Sequence, residues 1–491
     1  MHKRQPSLRE NRAHIRTPEG GGHHQMRRIT LRSWKTVALV VVAATGLAVW
    51  TTGSLAASRA NVVKVAIMTD CKGAFAFGYD LDIGGAQAAF AQYAGGKAKN
   101  KNKPSAGMTG IHVGGTQVKI VGYGCGNDTV PLAVSETKRL MEQLKADVMV
   151  GPLSGDEAVY VANYAKSHPT KTFIIGTAGS QDPTMQIAPK NMFRYHGDGA
   201  QWNAGAGAIA YNVLGWRKAA IIEDDYSFGW TSAAGFIADF CASGGQIVKR
   251  VFPPLNTTDY APFVRQLPAP SQVDGVFSTV GGTGTAAFIK AYEQAFGKID
   301  PKKYLGNLFS SFLGADKVVG PKLVGSYVGG FGTAAGLKTP QADAYRKKLL
   351  AIYPKLPTDD GFVYNYYNAA WGLVQGLTKS HGALGAKLDA AMPRSIKPGF
   401  QVSSGGVLKL DSRRQAIQDQ YQLQLVKNPD GSVGPIVVAF VPNVDQSFGG
   451  LFKPTDPPPG RTQPPCVKAK TPWQGKIHVV KNGKITSQIL K

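Results

Sequence analysis

The chain predicts an α/β protein of repeated strand–loop–helix units on parallel sheets, and three observations predict it. Short β-branched or apolar runs alternate with longer helical patterns, the signature of βαβ units. Strand ends pass into polar, glycine-bearing loops that open helices, most clearly in Asp147-Val148-Met149-Val150-Gly151-Pro152-Leu153-Ser154-Gly155-Asp156-Glu157. The series then begins again after a polar, glycine-bearing stretch from Asn191 to Gln201.

In order, Val62–Met68 reads as the first strand, Gly73–Tyr79 as its loop and Ile83–Tyr93 as its helix. Gln117–Tyr123 is the second strand, followed by a helix from Val130 to Leu144 and strands at Val148–Val150 and Phe173–Ile175. The second set has a helix over Ala204–Leu214, a strand at Ala219–Ile222 and the loop Glu223–Gly229. A helix near Ser232–Ala242, strand Gln246–Val251, a helix around Tyr260–Leu267, strand Gly275–Val280 and a helix to Phe296 follow. Gly329–Gly336 reads as another crossover. Helices at Pro340–Tyr353 and Phe362–Lys379 and strands at Gly406–Leu410 and Gln420–Val426 close the body. Tyr364, Tyr366, Tyr367 and Trp371 fit the core face of the second of these helices. The Pro, Gly and Lys content after Gly449 reads as an extended tail.

Residues 1–57 read as a basic leader plus secretory signal peptide. Arg27, Arg28, Arg32 and Lys35 precede the apolar run Val37–Trp50 and the small-residue site Ser54-Leu55-Ala56-Ala57. The run is short of the roughly 20 residues of a membrane span. The expected location is therefore exported, in a periplasm or outside the cell envelope. The leader holds nine Lys or Arg and two Glu, which lowers the formal charge of +25 to +18 for the remainder. The densest basic run, Lys97–Lys103, has no interleaved aromatic residue, so no nucleic-acid partner is expected. Four cysteines in an exported chain suggest disulfides. Cys71 and Cys125 follow the first and second strands, whose neighbouring ends favour a bridge between them. Cys241 and Cys466 would form the other, unless Cys241 is a buried free thiol.

Several chemistries find little support. Neither G-x-S-x-G nor H-E-x-x-H occurs, and the histidines are scattered, so an enzyme is not expected. Gly282-Thr283-Gly284-Thr285-Ala286-Ala287 matches a dinucleotide fingerprint, but close helix–strand packing explains its glycines as well. No cofactor or metal is expected. Glu223, Asp224 and Asp225 suit either an ammonium or metal site or the start of a helix, where the dipole favours acids.

The order and spacing of these units resemble the type I periplasmic binding proteins, and among them the branched-chain amino-acid binding components of ABC importers. The resemblance covers about residues 60–430. Its marks are Gly73-Ala74-Phe75-Ala76-Phe77-Gly78, the Gly-Pro-Leu-Ser loop at Gly151–Ser154, Phe193-Arg194, Asp225–Gly229 and Asp259-Tyr260-Ala261-Pro262-Phe263. It implies two doubly wound, Rossmann-like parallel-sheet lobes joined by three crossovers with the ligand cleft between them: 60–196 with 335–400, and 197–334 with 401–445. A tail over 446–491 completes the chain. It also implies hinges of low stability at about Asn191–Gln201 and Gly329–Gly336. Ser154, Gly155, Gly179 and Ser180 match loops that hold a ligand carboxylate, and Phe75 matches a wall. Asp225, Tyr226 and Phe228 fall on the facing loop, and Thr283 falls at a contact position. The position of the family's acidic partner for a ligand ammonium reads Leu308, so either Asp225 takes over the ammonium or the ligand lacks one; Phe75, Tyr226 and Phe228 favour an aromatic acid, amide or other small carboxylate over an aliphatic amino acid. The implied partners are a small-molecule ligand and the permease subunits of an ABC importer, with the membrane reached only through the permease, for a protein acting as a monomer. A sensor feeding a membrane receptor and an exported enzyme are the alternatives.

Overall fold

The computed structural model describes residues 62–282, 284–306, 319–329, 331 and 334–490. The expected signal segment, Leu308 and Thr283 lie outside them. Among the described residues, no helix is long and apolar enough to cross a membrane.

Two sheets repeat one topology. The first runs His112–Val113, Thr116–Gly126, Val62–Asp70, Val148–Val150, Thr172–Ile174, Met192–Phe193, with only the first pair antiparallel. The second runs Gln246–Val251, Lys218–Ile222, Gly275–Ser278, Tyr304–Gly306, Tyr327–Gly329 in parallel. In each, the earliest parallel strand lies inside the sheet, with the next strand on one side and the later ones on the other. Such a sheet has a switch point, where loops at the carboxyl ends of adjacent strands diverge and leave a crevice. The apolar runs are buried on both faces, as parallel strands require: Val148, Met149, Val150, Ala219, Ala220, Ile221 and Ile222 are all fully buried.

The helix Tyr79–Ala94 lies on the first sheet against Gly361–Lys379, which places the late helices on the early sheet. Tyr364, Tyr366 and Tyr367 are buried core, as their spacing predicts.

The C-terminal part departs from expectation. Ala416–Lys427 joins the second sheet antiparallel to Tyr327–Gly329, and Val433–Val444 pairs with it. The segment read as an extended tail returns as a hairpin, His478–Lys481 and Lys484–Ile489, on that same sheet. Its turn holds Asn482 and Gly483 at φ 53° and 76°. Asn-Gly between short alternating runs is a strong hairpin signal, obscured here by the Pro- and Lys-rich chain before it.

Both expected disulfides are present, with Cα separations of 4.9 Å for Cys71–Cys125 and 5.4 Å for Cys241–Cys466. The first follows from register: Thr69 lies opposite Cys125 and Asp70 opposite Gly126, so Cys71 emerges beside its partner. The two cysteines are 54 residues apart. Replacing both by serine is expected to cost about 4 kcal/mol in the chain-entropy account. Urea unfolding of the double variant checks this, and an unchanged midpoint would refute it.

The crossover at 191–201 is packed. Every residue from Asn191 to Gln201 is buried, so a hinge there would turn on packed backbone rather than on a loose linker. Arg194 and Gln415 form a parallel bridge where two crossovers run side by side. Backbone passing between two lobes has no water to bond, so it must find partners within the protein.

Candidate functional site

The site forms where the switch points of the two sheets face each other. From the first sheet come Phe75, on the loop after Val62–Asp70, and Leu153, Ser154 and Gly155, after Val148–Val150. Thr177 and Gly179 follow Thr172–Ile174. Tyr226 and Phe228, after Lys218–Ile222, come from the second sheet. Trp202, Phe331 and Phe362 complete the lining of one cavity. Its volume is about 20 Å3, room for about one water, so a ring-sized ligand requires the lobes to part.

The walls are aromatic. Ring centroids lie 4.5 Å apart for Trp202–Phe331, 5.0 Å for Phe331–Phe362, 5.7 Å for Trp202–Phe228 and 5.9 Å for Tyr226–Phe228. Among them lie Thr177 Oγ1 and Trp202 Nε1, buried without a hydrogen bond to any described residue, and the Ser154 hydroxyl, which lies against the Asp128 carboxyl. Each belongs to a residue lining the cavity, and each can donate. Ser154 precedes the helix Gly155–Ser167 without capping it by its side chain, and the first amides of that helix carry the positive end of its dipole.

The lobes touch through glycine. A Cβ on Gly155 would sit 2.6 Å from Ser227 Oγ and 2.9 Å from Phe228 N. One on Gly282 would sit 2.4 Å from the Ala74 carbonyl, and φ there is +61°. The glycine of the apparent dinucleotide fingerprint thus serves a close approach between the facing loops. Two hydrogen bonds cross nearby: Ser227 N–H donates to Asp156 Oδ1 at 3.0 Å, and Gln181 N–H to Thr231 Oγ1 at 3.1 Å.

Of the residues singled out from sequence, Phe75, Ser154, Gly155, Gly179, Tyr226 and Phe228 meet around the cavity. Two do not. Ser180 turns its hydroxyl to the Gly155 carbonyl, 3.0 Å away, and ties two loops together. Asp225 faces outward, accepting from Trp230 Nε1 and from Arg461. Sequence reasoning passed over Leu153, Thr177, Trp202, Phe331 and Phe362. Leu153 and Thr177 belong to loops already marked as strand ends. Trp202 and Phe331 lie in or beside crossovers, and Phe362 opens a helix read as core.

Beneath the first-sheet loops lie three buried carboxyls: Asp70, Asp128 and Glu157. Burial pushes Asp70 well above the usual range, and the charges of Glu157 and Asp128 add to this. Burial lifts Asp128 to about 6, against the pull of Asp70 and Ser154. Glu157 is raised to about 8 by burial and by Asp128. On the facing sheet burial raises Asp224 to about 8, and its carboxylate accepts from Gly281 N–H at 2.8 Å. Among the described residues no His, Cys, Asp or Glu group is arranged to hold a metal ion.

The trio has a consequence for stability. These groups keep protons in the folded state to higher pH than in the unfolded chain. Their contribution is therefore complete below the unfolded carboxyl range of about 4, and it is lost as pH rises through about 6 and about 8. Asp70→Asn is expected to shrink the fall in stability between about pH 5 and about pH 9. Urea unfolding at both ends tests this; a fall as large as that of the wild type would rule it out.

Comparison with known proteins fits this geometry. The family described as periplasmic binding protein matches residues 62–431. A Leu/Ile/Val-binding protein homolog from Brucella melitensis is 27% identical over 260 residues, covering 51% of this chain and 59% of the relative. The chain thus spans less than two thirds of the length of the curated relatives it matches. Among solved structures, an ABC transporter solute-binding protein from R. palustris, in complex with benzoate, is similar with a TM-score of 0.62. Its identity is 23%, over 77% of this chain and 96% of that one. Another from Rhodopseudomonas palustris, with 3,4-dihydroxybenzoic acid, gives 0.63 at 19% identity, over 79% and 99%. A leucine-binding protein from Thermotoga maritima gives 0.58 at 18%, over 76% and 97%. With paired switch-point sheets facing across one cavity, and a family match over most of its length, the chain belongs to the periplasmic binding protein family and has the type I fold.

Proposed function

We propose that the protein captures a small aromatic carboxylate outside the cytoplasm and delivers it to the permease of an ABC importer. The lobes, 60–196 with 335–400 and 197–334 with 401–445, close on it, with hinges in the crossovers. One observation carries the reading: aromatic walls surround two buried donors, Thr177 Oγ1 and Trp202 Nε1, that have no hydrogen-bond partner among the described residues, beside the Ser154 hydroxyl and the first amides of its helix. Buried donors left unpaired are costly, and a carboxylate would satisfy them at one end of a ring. The complexes of similar solved proteins with benzoate and 3,4-dihydroxybenzoic acid support the ligand class. The second reading is a branched-chain amino acid, favoured by the names of the curated relatives. Asp225, the acid that the sequence offered for an ammonium, is turned away to Arg461.

Calorimetry with benzoate, leucine and valine separates the two. Benzoate is expected to bind, and Ser154→Ala to weaken it by about 1–3 kcal/mol. Tight leucine binding with no response to benzoate would overturn the proposal.

A further inference from the structure

The chain beyond the matched family region, which ends at 431, is anchored beside the site. Cys466 is bonded to Cys241, which is buried on the helix Ser227–Ala242. Arg250 Nη2 donates to the Pro464 carbonyl at 2.7 Å. The same segment walls a cavity of about 300 Å3 together with Gln181, from the first-sheet loop, and Ala238, on that helix. It therefore stands over the junction of the two lobes.

Five residues before Cys466, Arg461 grips Asp225 as a fork. Its Nε donates to Oδ1 at 2.8 Å and its Nη2 to Oδ2. Trp230 Nε1 donates to the same Oδ1 at 3.0 Å. Asp225 directly precedes Tyr226, and Phe228 is three residues on; both line the cavity. The Asp225 side chain is 11% exposed and that of Arg461 67%. An exposed ion pair between free side chains does little. A nearby covalent anchor changes that, because it delivers Arg461 at high effective concentration.

We propose that Arg461 is a positioning residue of the ligand cleft: the disulfide-pinned tail holds Asp225 and so fixes Tyr226 and Phe228 against the ligand. This rests on the reading of the cavity as the ligand site. The tail thereby becomes part of the binding machinery, and the acid that sequence suggested for ligand contact acts through its neighbours.

The test uses the full chain and begins without ligand. Amide hydrogen exchange is followed over residues 225–231 in the wild type, Arg461→Ala, Arg461→Lys and Cys466→Ser. Arg461→Ala and Cys466→Ser are expected to speed exchange there about tenfold. Both should weaken benzoate binding about two- to fivefold, with the thermal midpoint of Arg461→Ala unchanged. Arg461→Lys, which keeps the charge but loses the fork, should recover part of both effects. Unchanged exchange in Arg461→Ala and Cys466→Ser would overturn the proposal, as would faster exchange with unaltered affinity. If the wild type binds no benzoate but exchange responds as described, positioning is supported and the ligand class alone falls.

Discussion

Arg194→Leu is expected to destabilise the protein by about 3–5 kcal/mol, among the largest effects of any single substitution here. Arg194 is fully buried and makes four hydrogen bonds with groups from several segments. Its Nη1 donates to the Ala178 and Ser180 carbonyls at 3.0 and 2.7 Å, its Nε to Gln415 Oε1 at 2.6 Å, and its Nη2 to Thr184 Oγ1. Gln415 in turn donates to the His196 carbonyl and to Gln201 Oε1, at 2.6 and 2.9 Å. Removing the guanidinium leaves several buried acceptors unpaired at once, and leucine supplies nothing in return. Burial lowers the Arg194 pKa to about 10, still far above neutral pH, so the charge is kept. Because the Ala178 and Ser180 carbonyls flank Gly179, ligand affinity should fall together with stability. Urea unfolding gives the first quantity, and a loss below about 1 kcal/mol would show that water replaces the network.

Gly155→Val is expected to weaken benzoate binding about a hundredfold or more while leaving the unliganded thermal midpoint nearly unchanged. In the closed arrangement there is no space for a side chain at this position, since a Cβ placed there would lie within 3 Å of both Ser227 and Phe228. Valine therefore holds the lobes apart, and a ligand on the first lobe forfeits burial against Tyr226 and Phe228. Each such contact is worth about 1.5–3 kcal/mol when complete. Gly155→Ala should fall between the wild type and valine. Calorimetry measures the affinity, and solution scattering reports whether benzoate still compacts the molecule. Wild-type affinity in the valine variant would show that closure does not pass through this contact.

Much of the fold was legible because alternation of strand and helix is local. Val148–Val150 and Gln246–Val251 have the bounds that their composition predicts. Other strands shift by one to four residues at an end; Gln117–Tyr123 extends to Thr116–Gly126. The pairing of Cys71 with Cys125 was legible for the same reason, since parallel neighbours bring corresponding ends together. The hairpin near the C-terminus was missed although Asn482-Gly483 marks it.

The sequence by itself determined the α/β class, the repeated strand–loop–helix units and the loops that supply Phe75, Ser154, Gly155, Gly179, Tyr226 and Phe228. These follow from period, turn chemistry and position after a strand, all properties of neighbouring residues. Only the tertiary structure decided that Trp202, Phe331 and Phe362 close the cavity, that Asp225 turns to Arg461, and that Arg194 joins two crossovers to the Ala178–Ser180 loop. Arg461 lies 236 residues from Asp225, and Gln415 lies 221 from Arg194. Which distant side chains meet is fixed by how the lobes pack, and no local pattern carries that information.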